Sequence, residues 1–356
     1  MSMQYRVCTS CGQVNLPGAR LCIKCGSPLE MSKMSSENTV GVDGIPQPLP
    51  PPPSGGLVDS VKEAFVTLVK PTPPVVSPSG VVYNKMTPFT SVTKYLVIGM
   101  ILFLIGMIFS TTGLFLTTSI WILISISFAP LLYVFWMYKQ DRFEREPTEL
   151  IVLSFGWGSF SVFLILMMWG FIFPDIDLPA WIAGPLPEEP LKILGVYLLA
   201  TNKKLGREFN DHLDGMVYGA AAGGGFAIIE NFLYVYSMII EGVPLLLAVA
   251  IRSTIGHVFY SALVGRWLGL SKARKGFVQI TDLIPGLLVA MVFHGFWNSD
   301  IMGLILEGFN VLGGDLGVLI GLFAVAGVFY LILYKYTKEA VRDEKLWGYN
   351  AGYAPK

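Results

Sequence analysis

Two adjacent glutamates, Glu188 and Glu189, stand in the apolar stretch GPLPEEPLKILG, with Lys192 one helical turn further on. An ionised side chain near the centre of a bilayer costs about 2.5 kcal/mol or more. A membrane-spanning segment that carries such a pair therefore needs partners for it or a function. We expect Lys192 or Arg252 to neutralise one carboxylate and to leave the other as a general base.

The predicted helices that follow carry further polar groups: Glu230 and Asn231 with Phe226 one turn before them, His257, and His294 with Asn298. Residues four apart share one helical face, so His294 and Asn298 can both point at one substrate atom. A single membrane histidine is most often a satisfied hydrogen bond of the bundle. Three carboxylates and two histidines on successive helices indicate one shared site instead. His212, beside Asp211 and Asp214, is interpreted as part of a cytoplasmic loop only.

The composition excludes an ordinary soluble domain. Hydrophobic residues make up 53% of the chain and charged residues 14%, whereas soluble domains carry about 25% charged residues. The mean hydropathy is +0.59. We therefore predict an all-α polytopic protein of the cell membrane, with the lipid bilayer as its environment. The formal net charge of zero gives no reason to expect nucleic acid as a partner.

A helix that crosses a bilayer needs about 20 apolar residues. The apolar runs predict about eight transmembrane helices, at 95–116, 118–138, 149–173, 180–201, 214–240, 244–266, 279–299 and 315–336. Lysine and arginine concentrate in the segments YKQDRFEREP, TNKKLGREFNDHLD, RWLGLSKARKG and KYTKEAVRDEK. Since positively charged loops stay in the cytoplasm, both chain termini are predicted to be cytoplasmic.

Near the N-terminus, two C-x-x-C pairs are formed by Cys8, Cys11, Cys22 and Cys25. Each pair lets two thiolates from one tight turn meet a single ion, and two such turns complete a tetrahedral zinc site. Disulfides or a redox pair are the alternative, which a reducing cytoplasm disfavours. Residues 1–30 are therefore predicted to be a zinc ribbon that holds a structural zinc and contacts a cytoplasmic protein partner.

The remaining boundaries follow from composition. Residues 31–94 form a proline-rich linker, interrupted at 57–70 by LVDSVKEAFVTLVK, whose apolar residues share one helical face. This short amphipathic helix could lie on the inner membrane surface, dock a partner or fold back onto the cytoplasmic loops. Residues 95–336 make up the transmembrane bundle, and 337–356 a cytoplasmic tail.

In chain order, Glu188-Glu189-x-x-Lys192, Phe226-x-x-x-Glu230-Asn231, His257 and His294-x-x-x-Asn298 resemble the motifs of the PrsW family of intramembrane proteases. That family is related to the type II CAAX prenyl proteases and to bacteriocin-processing membrane proteases. DGMVYGAAAGGGFAIIENFLY is close to the usual sequence of the family, and DRFEREP resembles its acidic, proline-containing loop. The resemblance covers roughly residues 95–336 and departs at Pro190, where an ordinary helix former is commoner.

The resemblance implies hydrolysis of a peptide bond within or beside the membrane, in membrane-anchored regulatory proteins. Water attack on an amide needs a base, and Glu188 or Glu189 could serve. The tetrahedral oxyanion needs hydrogen-bond donors, and His294 with Asn298 resemble the proposed oxyanion hole of the family. A membrane-protein substrate is the partner that this reaction requires.

Two questions stay open at this point. Glu230 and His257 could orient the water or the base, or they could bind a catalytic zinc together with His294 while a glutamate acts as base. The chain could also be a catalytically silent scaffold that works through its ribbon, or a proton-coupled transporter. A transporter should show repeated halves, and a scaffold has no need of buried ionisable groups, so the protease interpretation is favoured.

Overall fold

The computed structural model describes residues 6–7, 14–15, 56–73, 98, 101, 116–142, 145–172 and 176–347. The ribbon cysteines, most of the proline-rich linker and almost all of the predicted span 95–116 lie outside these residues. Within them, the strands β1 (Arg6–Val7) and β2 (Val14–Asn15) pair antiparallel. The rest is helical, which confirms the predicted fold class for this part of the chain.

The described helices are α1 (Leu57–Val69), α2 (Leu116–Gln140), α3 (Thr148–Met167), α4 (Ala180–Ala183), α5 (Pro185–Thr201), α6 (His212–Ile240), α7 (Leu245–Arg252), α8 (Gly256–Lys275), α9 (Ile284–Trp297), α10 (Asp300–Asn310) and α11 (Asp315–Trp347). A π-helical turn, Met168–Ile172, extends α3. Short 3-10 turns at Leu205–Arg207 and Ile280–Leu283 precede α6 and α9.

Among the described residues, six helical segments are long and apolar enough to cross a membrane: Ile122–Gln140, Thr148–Ile172, His212–Ile240, Leu247–Lys275, Ile280–Trp297 and Asp315–Glu344. Helix α5 occupies the predicted span 180–201 but has only 17 residues, and it continues through Pro190 without a break. The departure at Pro190 therefore leaves the helix that carries the glutamate pair intact.

The span predicted at 244–266 is present as the candidate span Leu247–Lys275, but it is not one continuous helix, because the chain breaks between α7 and α8. Helix α7 ends at Arg252, and α8 begins at Gly256. The carbonyl oxygen of Arg252, which a continuing helix would use, accepts a hydrogen bond of 3.0 Å from Asn231 Nδ2 instead. A side chain of α6 thus satisfies a backbone group that the helix end leaves without an intrahelical partner.

Helix α6 lies at the centre of the bundle and makes backbone contact with its neighbours. A Cβ on Gly265 of α8 would stand 1.9 Å from the carbonyl oxygen of Gly215, and one on Gly223 would stand 2.2 Å from that of His257. On another face, a Cβ on Gly225 would stand 1.9 Å from the carbonyl oxygen of Phe155 in α3. Glycine is required at these crossings because any side chain would hold the helices apart.

Helix α5 is fixed against α3 by a tryptophan. Trp157 donates from Nε1 to the carbonyl oxygen of Leu191 at 2.8 Å. Its indole lies so close to Gly195 that a Cβ there would stand 2.3 Å from the ring. This contact sets the rotation of α5 and therefore the direction in which Glu188 and Glu189 point.

The helix predicted at 57–70 is present as α1, and it folds back onto the bundle. Its buried face carries Ala64 and Thr67. Arg274 at the end of α8 forms two hydrogen bonds with the Glu63 carboxylate, at 2.5 and 2.9 Å. Lys335 of α11 donates to the carbonyl oxygen of Lys70 at 2.6 Å, beyond the last turn of α1. The folded-back interpretation is therefore the one that the structure supports.

His212 is the first residue of α6 and is fully buried, so its assignment to a loop is wrong. Its Nε2 lies 3.4 Å from Asp343 Oδ2. The capping box of Asp211 and Asp214 starts α6 earlier than hydrophobicity suggests, since these side chains satisfy the first free backbone N–H groups. Helix α11 also runs past the predicted tail boundary, to Trp347.

The close crossing of α6 and α8 predicts the effect of one methyl group. Gly265→Ala should destabilise the bundle by about 1–3 kcal/mol, because the new Cβ would overlap a backbone carbonyl that has no room to move. The measurement is the midpoint of heat-induced loss of the monodisperse peak in detergent. Gly327→Ala is the control, since nothing lies within 4 Å of its new methyl. Equal midpoints for both variants would contradict the described crossing.

Candidate active site

The polar residues singled out from the sequence converge around one cavity of about 590 Å³ between α3, α6, α7 and α9. Its lining includes Phe226, Glu230, Asn231, Arg252, His257, His294, Asn298 and Glu188. Glu189 and Lys192 lie behind this lining and are almost completely buried. Residues that are more than a hundred positions apart in the chain thus meet in one place.

Glu189 is held by two hydrogen bonds through a single oxygen. Lys192 donates from Nζ to Glu189 Oε1 at 2.6 Å, and His294 donates from Nδ1 to the same oxygen at 2.7 Å. Lys192 is also buried against an aromatic ring, with its Nζ 4.3 Å from the centroid of Phe226. The expected pairing of Glu189 with Lys192 is therefore present, and it keeps the Glu189 carboxylate in one orientation.

Glu230 is the centre of a second group. Its Oε2 lies 2.6 Å from His257 Nε2 and 2.5 Å from an Arg252 guanidinium nitrogen. Arg252 also donates from Nε to Asn231 Oδ1 at 3.1 Å. Arg252 therefore neutralises Glu230 rather than a member of the glutamate pair, which answers one of the alternatives left by the sequence.

His257 joins these two groups and is neutral in one defined tautomer. Lys192 Nζ lies 3.0 Å from His257 Nδ1. An ammonium can only donate, so Nδ1 must accept, and the ring proton then sits on Nε2, where it is donated to Glu230. A continuous chain of hydrogen bonds runs from Arg252 through Glu230 and His257 to Lys192.

Glu188 is the loosely held member of the glutamate pair. Its Oε2 lies 3.7 Å from Lys192 Nζ and 3.7 Å from His294 Nε2, beyond hydrogen-bond distance in both cases. That oxygen is buried without a hydrogen-bond partner. Because Glu188 lines the cavity and Glu189 does not, the two adjacent carboxylates have different environments.

Sequence reasoning missed two residues that shape this site. Tyr260 stacks on the ring of His294, with centroids 4.8 Å apart and planes 11° from parallel. It stands three residues after His257 on the same helical face, which is the signal that could have found it. Gly184, at the junction of α4 and α5, lines the cavity next to Asn298 and Glu188. Nothing in the sequence around Gly184 distinguishes it from other glycines of the bundle.

Comparison with known proteins identifies the family of this chain. Residues 146–332, more than half of the chain, match the model of the PrsW family of intramembrane metalloproteases. The chain belongs to the PrsW family. The matched residues include every group of the cavity described above. A separate match to a zinc-ribbon domain covers residues 7–29.

The similar proteins are bacterial proteases of this family. A PrsW protease of Geobacillus kaustophilus is 28% identical over 186 residues, which cover 49% of this chain and 78% of that protein. Those of Oceanobacillus iheyensis and Bacillus subtilis are 28% and 25% identical, covering 53% and 51% of this chain and 90% and 84% of their own. No solved structure matches the chain. This PrsW-family protein is an intramembrane peptidase, and several helices embed it in the membrane.

The description of the family as metalloproteases raises the question of a catalytic metal. Donors of the types that zinc prefers lie within 4.8 Å of one another in Glu188, Glu189, His257 and His294. Glu230, a zinc ligand in the sequence-based alternative, is outside this group. Two oxygens of the group, Glu188 Oε2 and Glu189 Oε2, are buried without hydrogen-bond partners. By donor type alone, this PrsW-family site could accommodate a divalent ion.

The charge of Lys192 argues against that ion. Its ammonium already faces the same donors, 2.6 Å from Glu189 Oε1 and 3.0 Å from His257 Nδ1. Two like unit charges about 4 Å apart repel by about 4 kcal/mol at an effective dielectric constant of about 20. Because Lys192 is fully buried, it has no room to withdraw into water. The residues of this PrsW-family site therefore do not fit a divalent ion while Lys192 is protonated.

Lys192 is thus expected to be essential for the stability of the site. Lys192→Met should destabilise the protein by about 3–5 kcal/mol, because it leaves Glu189 as a buried carboxylate without its cation. Thermal unfolding in detergent measures the change. Lys203→Met, which removes a lysine from an exposed loop, is the matched control and should unfold as the parent does. An unchanged midpoint for Lys192→Met would contradict the role of its ammonium.

Proposed function

We propose that this PrsW-family protein cleaves peptide bonds in membrane-anchored regulatory proteins, with Glu188 as the base that activates water. The observation that carries this proposal is the difference between the two adjacent glutamates. Glu188 lines the cavity and has an oxygen without a hydrogen-bond partner. Glu189 is buried behind it and bonded to Lys192 and His294. Each glutamate has one oxygen without a hydrogen-bond partner, but only Glu188 lines the cavity, where a water molecule and a substrate could meet it.

The proposed reaction begins with a water molecule bound to Glu188. The carboxylate takes a proton as the water oxygen attacks the carbonyl carbon of the scissile bond. Asn298, which lines the cavity, would donate a hydrogen bond from its side-chain amide to the oxyanion that forms. His294 also lines the cavity, but Glu189 already accepts its Nδ1 proton, so its Nε2 would donate to the oxyanion only in the imidazolium form. Glu188 then passes the proton to the leaving amine nitrogen as the C–N bond breaks, and the carboxylate is restored.

The remaining charged groups hold these reactants in position. Glu189 and Lys192 orient His294 and His257 through the bonds described above. Glu230, neutralised by Arg252, fixes the tautomer of His257, whose Nδ1 in turn binds the Lys192 ammonium. In this proposal Glu230 and His257 are positioning residues, and neither exchanges a proton with the substrate. The aligned dipoles and charges require little rearrangement during the reaction.

Apolar side chains on one side of the cavity support a membrane-protein substrate. Leu166 lines the cavity and is also half-exposed on the outer surface of α3. Trp169 and Ile165 continue the apolar wall toward the glutamates. A substrate segment could therefore pass from the lipid into the cavity without leaving an apolar environment. We propose that the segment unwinds there, because an intact helix shields its own carbonyl groups.

The ends of the helices support an orientation with both chain termini in the cytoplasm. Lys272 and Arg274 at the end of α8, with Lys335 of α11, lie at one end of the bundle, where they bind the α5–α6 connection and α1. Glu188 and His257 stand near the starts of α5 and α8, at the opposite end. By the positive-inside rule, these positions support a basic end in the cytoplasm and a catalytic site toward the outer leaflet.

The ribbon is proposed to hold one structural zinc through Cys8, Cys11, Cys22 and Cys25. Its match to a zinc-ribbon domain supports this assignment. Because α1 follows the ribbon and is docked on the basic end of the bundle, the ribbon would lie on the cytoplasmic side. There we propose that it recruits a cytoplasmic protein partner.

Glu188→Gln should abolish cleavage while the protein stays folded, because an amide fills the same space but accepts no proton. The assay is cleavage of a panel of single-pass membrane proteins, each reconstituted with the protease in liposomes. Glu241→Gln, which changes an exposed glutamate at the end of α6, is the matched control and should cleave as the parent does. A Glu188→Gln variant that cleaves at the parental rate would remove the basis of the proposed mechanism.

The metal question is settled by elemental analysis rather than by activity. A variant with Cys22→Ser and Cys25→Ser should lose the ribbon zinc, and the purified bundle should then contain less than one tenth of an equivalent of any transition metal. Lys192 already supplies the positive charge that an ion would bring. One full equivalent that remains in this variant and disappears with His257→Ala would contradict the metal-free mechanism.

A further inference from the structure

Gly184 has an ordinary backbone conformation, so its lack of a side chain needs another explanation. Its φ of −72° and ψ of −65° lie in the right-handed helical region, which alanine also prefers. A Cβ at this position would, however, stand 2.9 Å from Asn298 Nδ2 and 3.3 Å from Glu188 Oε1. The missing side chain thus leaves space between the proposed base and a proposed oxyanion donor.

The backbone around Gly184 has little freedom to relieve such a contact. The backbone N–H of Gly184 donates to the carbonyl oxygen of Ala180 at 3.3 Å. The carbonyl oxygen of Gly184 accepts from the backbone N–H of Glu188 at 3.2 Å. Helix α4 is pressed against α9, since a Cβ on Gly295 would stand 2.7 Å from the carbonyl oxygen of Trp181. An added methyl on residue 184 must therefore displace a side chain, and the end of Asn298 is the nearest group.

We propose that Gly184 is a positioning residue whose missing side chain lets Asn298 and Glu188 face the same reacting carbonyl. The amide of Asn298 supplies a donor and the carboxylate of Glu188 an acceptor across the space that a Cβ would narrow. A peptide carbonyl with its attacking water needs both within hydrogen-bond distance at once. This inference rests on the proposed function, because it assigns the space to the reaction of Glu188.

The proposal predicts that Gly184→Ala lowers activity without lowering thermal stability. Gly184→Ala should lower kcat by about 10²–10³-fold, the loss typical of removing one oxyanion donor, with little change in KM. Thermal stability should be equal to that of the parent or higher, because alanine suits the helical backbone and the displaced group is the mobile end of a side chain. Gly303→Ala, in α10 with nothing within 4 Å of its new methyl, is the control and should retain full activity.

A double-mutant cycle tests whether Gly184 acts through Asn298. Asn298→Ala alone should lower kcat by a similar factor. In that background, Gly184→Ala should cause less than a threefold further loss, since the amide that the methyl would displace is already absent. The substrate is whichever panel protein the parent cleaves in liposomes. If Gly184 had a purely structural role, the factors by which the two substitutions lower kcat would instead multiply in the double variant, and the unfolding midpoint would fall.

Two outcomes would overturn the inference. One is a Gly184→Ala variant that cleaves at the parental rate, and the other is multiplied losses in the double variant. Glu188→Gln, measured in the same experiment, distinguishes these from a failure of the proposed function. If Glu188→Gln is inactive while Gly184→Ala is fully active, only the role of Gly184 is refuted. If Glu188→Gln cleaves normally, the assignment of the base is refuted as well.

Discussion

The buried ammonium of Lys192 is the interaction on which the site depends. Three carboxylates, Glu188, Glu189 and Glu230, face two basic side chains, Lys192 and Arg252, at the described site. Arg252 is committed to Glu230, and Lys192 lies a full ångström closer to Glu189 than to Glu188. Glu188, which lines the cavity, therefore has Lys192 Nζ only at 3.7 Å, beyond hydrogen-bond distance. The membrane enforces this arrangement, because an apolar environment tolerates buried charge only where a partner or a polar cavity is available.

Packing of glycine against backbone gives those charges their positions. The crossings of α6 with α8 and with α3 are so close that either helix would have to move if a side chain were added. Glu230 and His257 meet at 2.6 Å because the backbone of His257 contacts α6 at Gly223, two turns before Glu230. Electrostatic pairing alone would not fix such a distance, since long side chains adapt to many helix separations. The rigid crossings convert favourable charge pairs into one defined geometry.

Much of the fold and of the candidate site could be predicted from the sequence, because a chain embedded in a bilayer has long apolar segments and few charges. Apolar runs and buried polar residues are conspicuous in a chain with few charges, so the site residues and most helices were predictable. The break at Arg252 was not, because the segment as a whole is long and apolar enough for a single span and the stabilising contact comes from the distant Asn231. The burial of His212 was hidden for a similar reason, since its partner Asp343 lies in a segment whose charge suggested a solvated tail. The unequal environments of Glu188 and Glu189 likewise depend on tertiary contacts that adjacent residues do not reveal.

The break between α7 and α8 explains how Glu230 is accommodated so deep in the bundle. Arg252 at the end of α7 and His257 at the start of α8 both reach the same carboxylate oxygen, which a straight helix could not arrange with residues five apart, since these point to opposite sides. The start of α8 also brings the positive end of a helix dipole close to Glu230. Non-helical backbone at such depth is tolerated where it lines a polar cavity, and Arg252, Thr254 and Gly256 all line this one. The interruption, which the overall hydropathy of the segment does not reveal, therefore lets two consecutive helices supply both partners of Glu230.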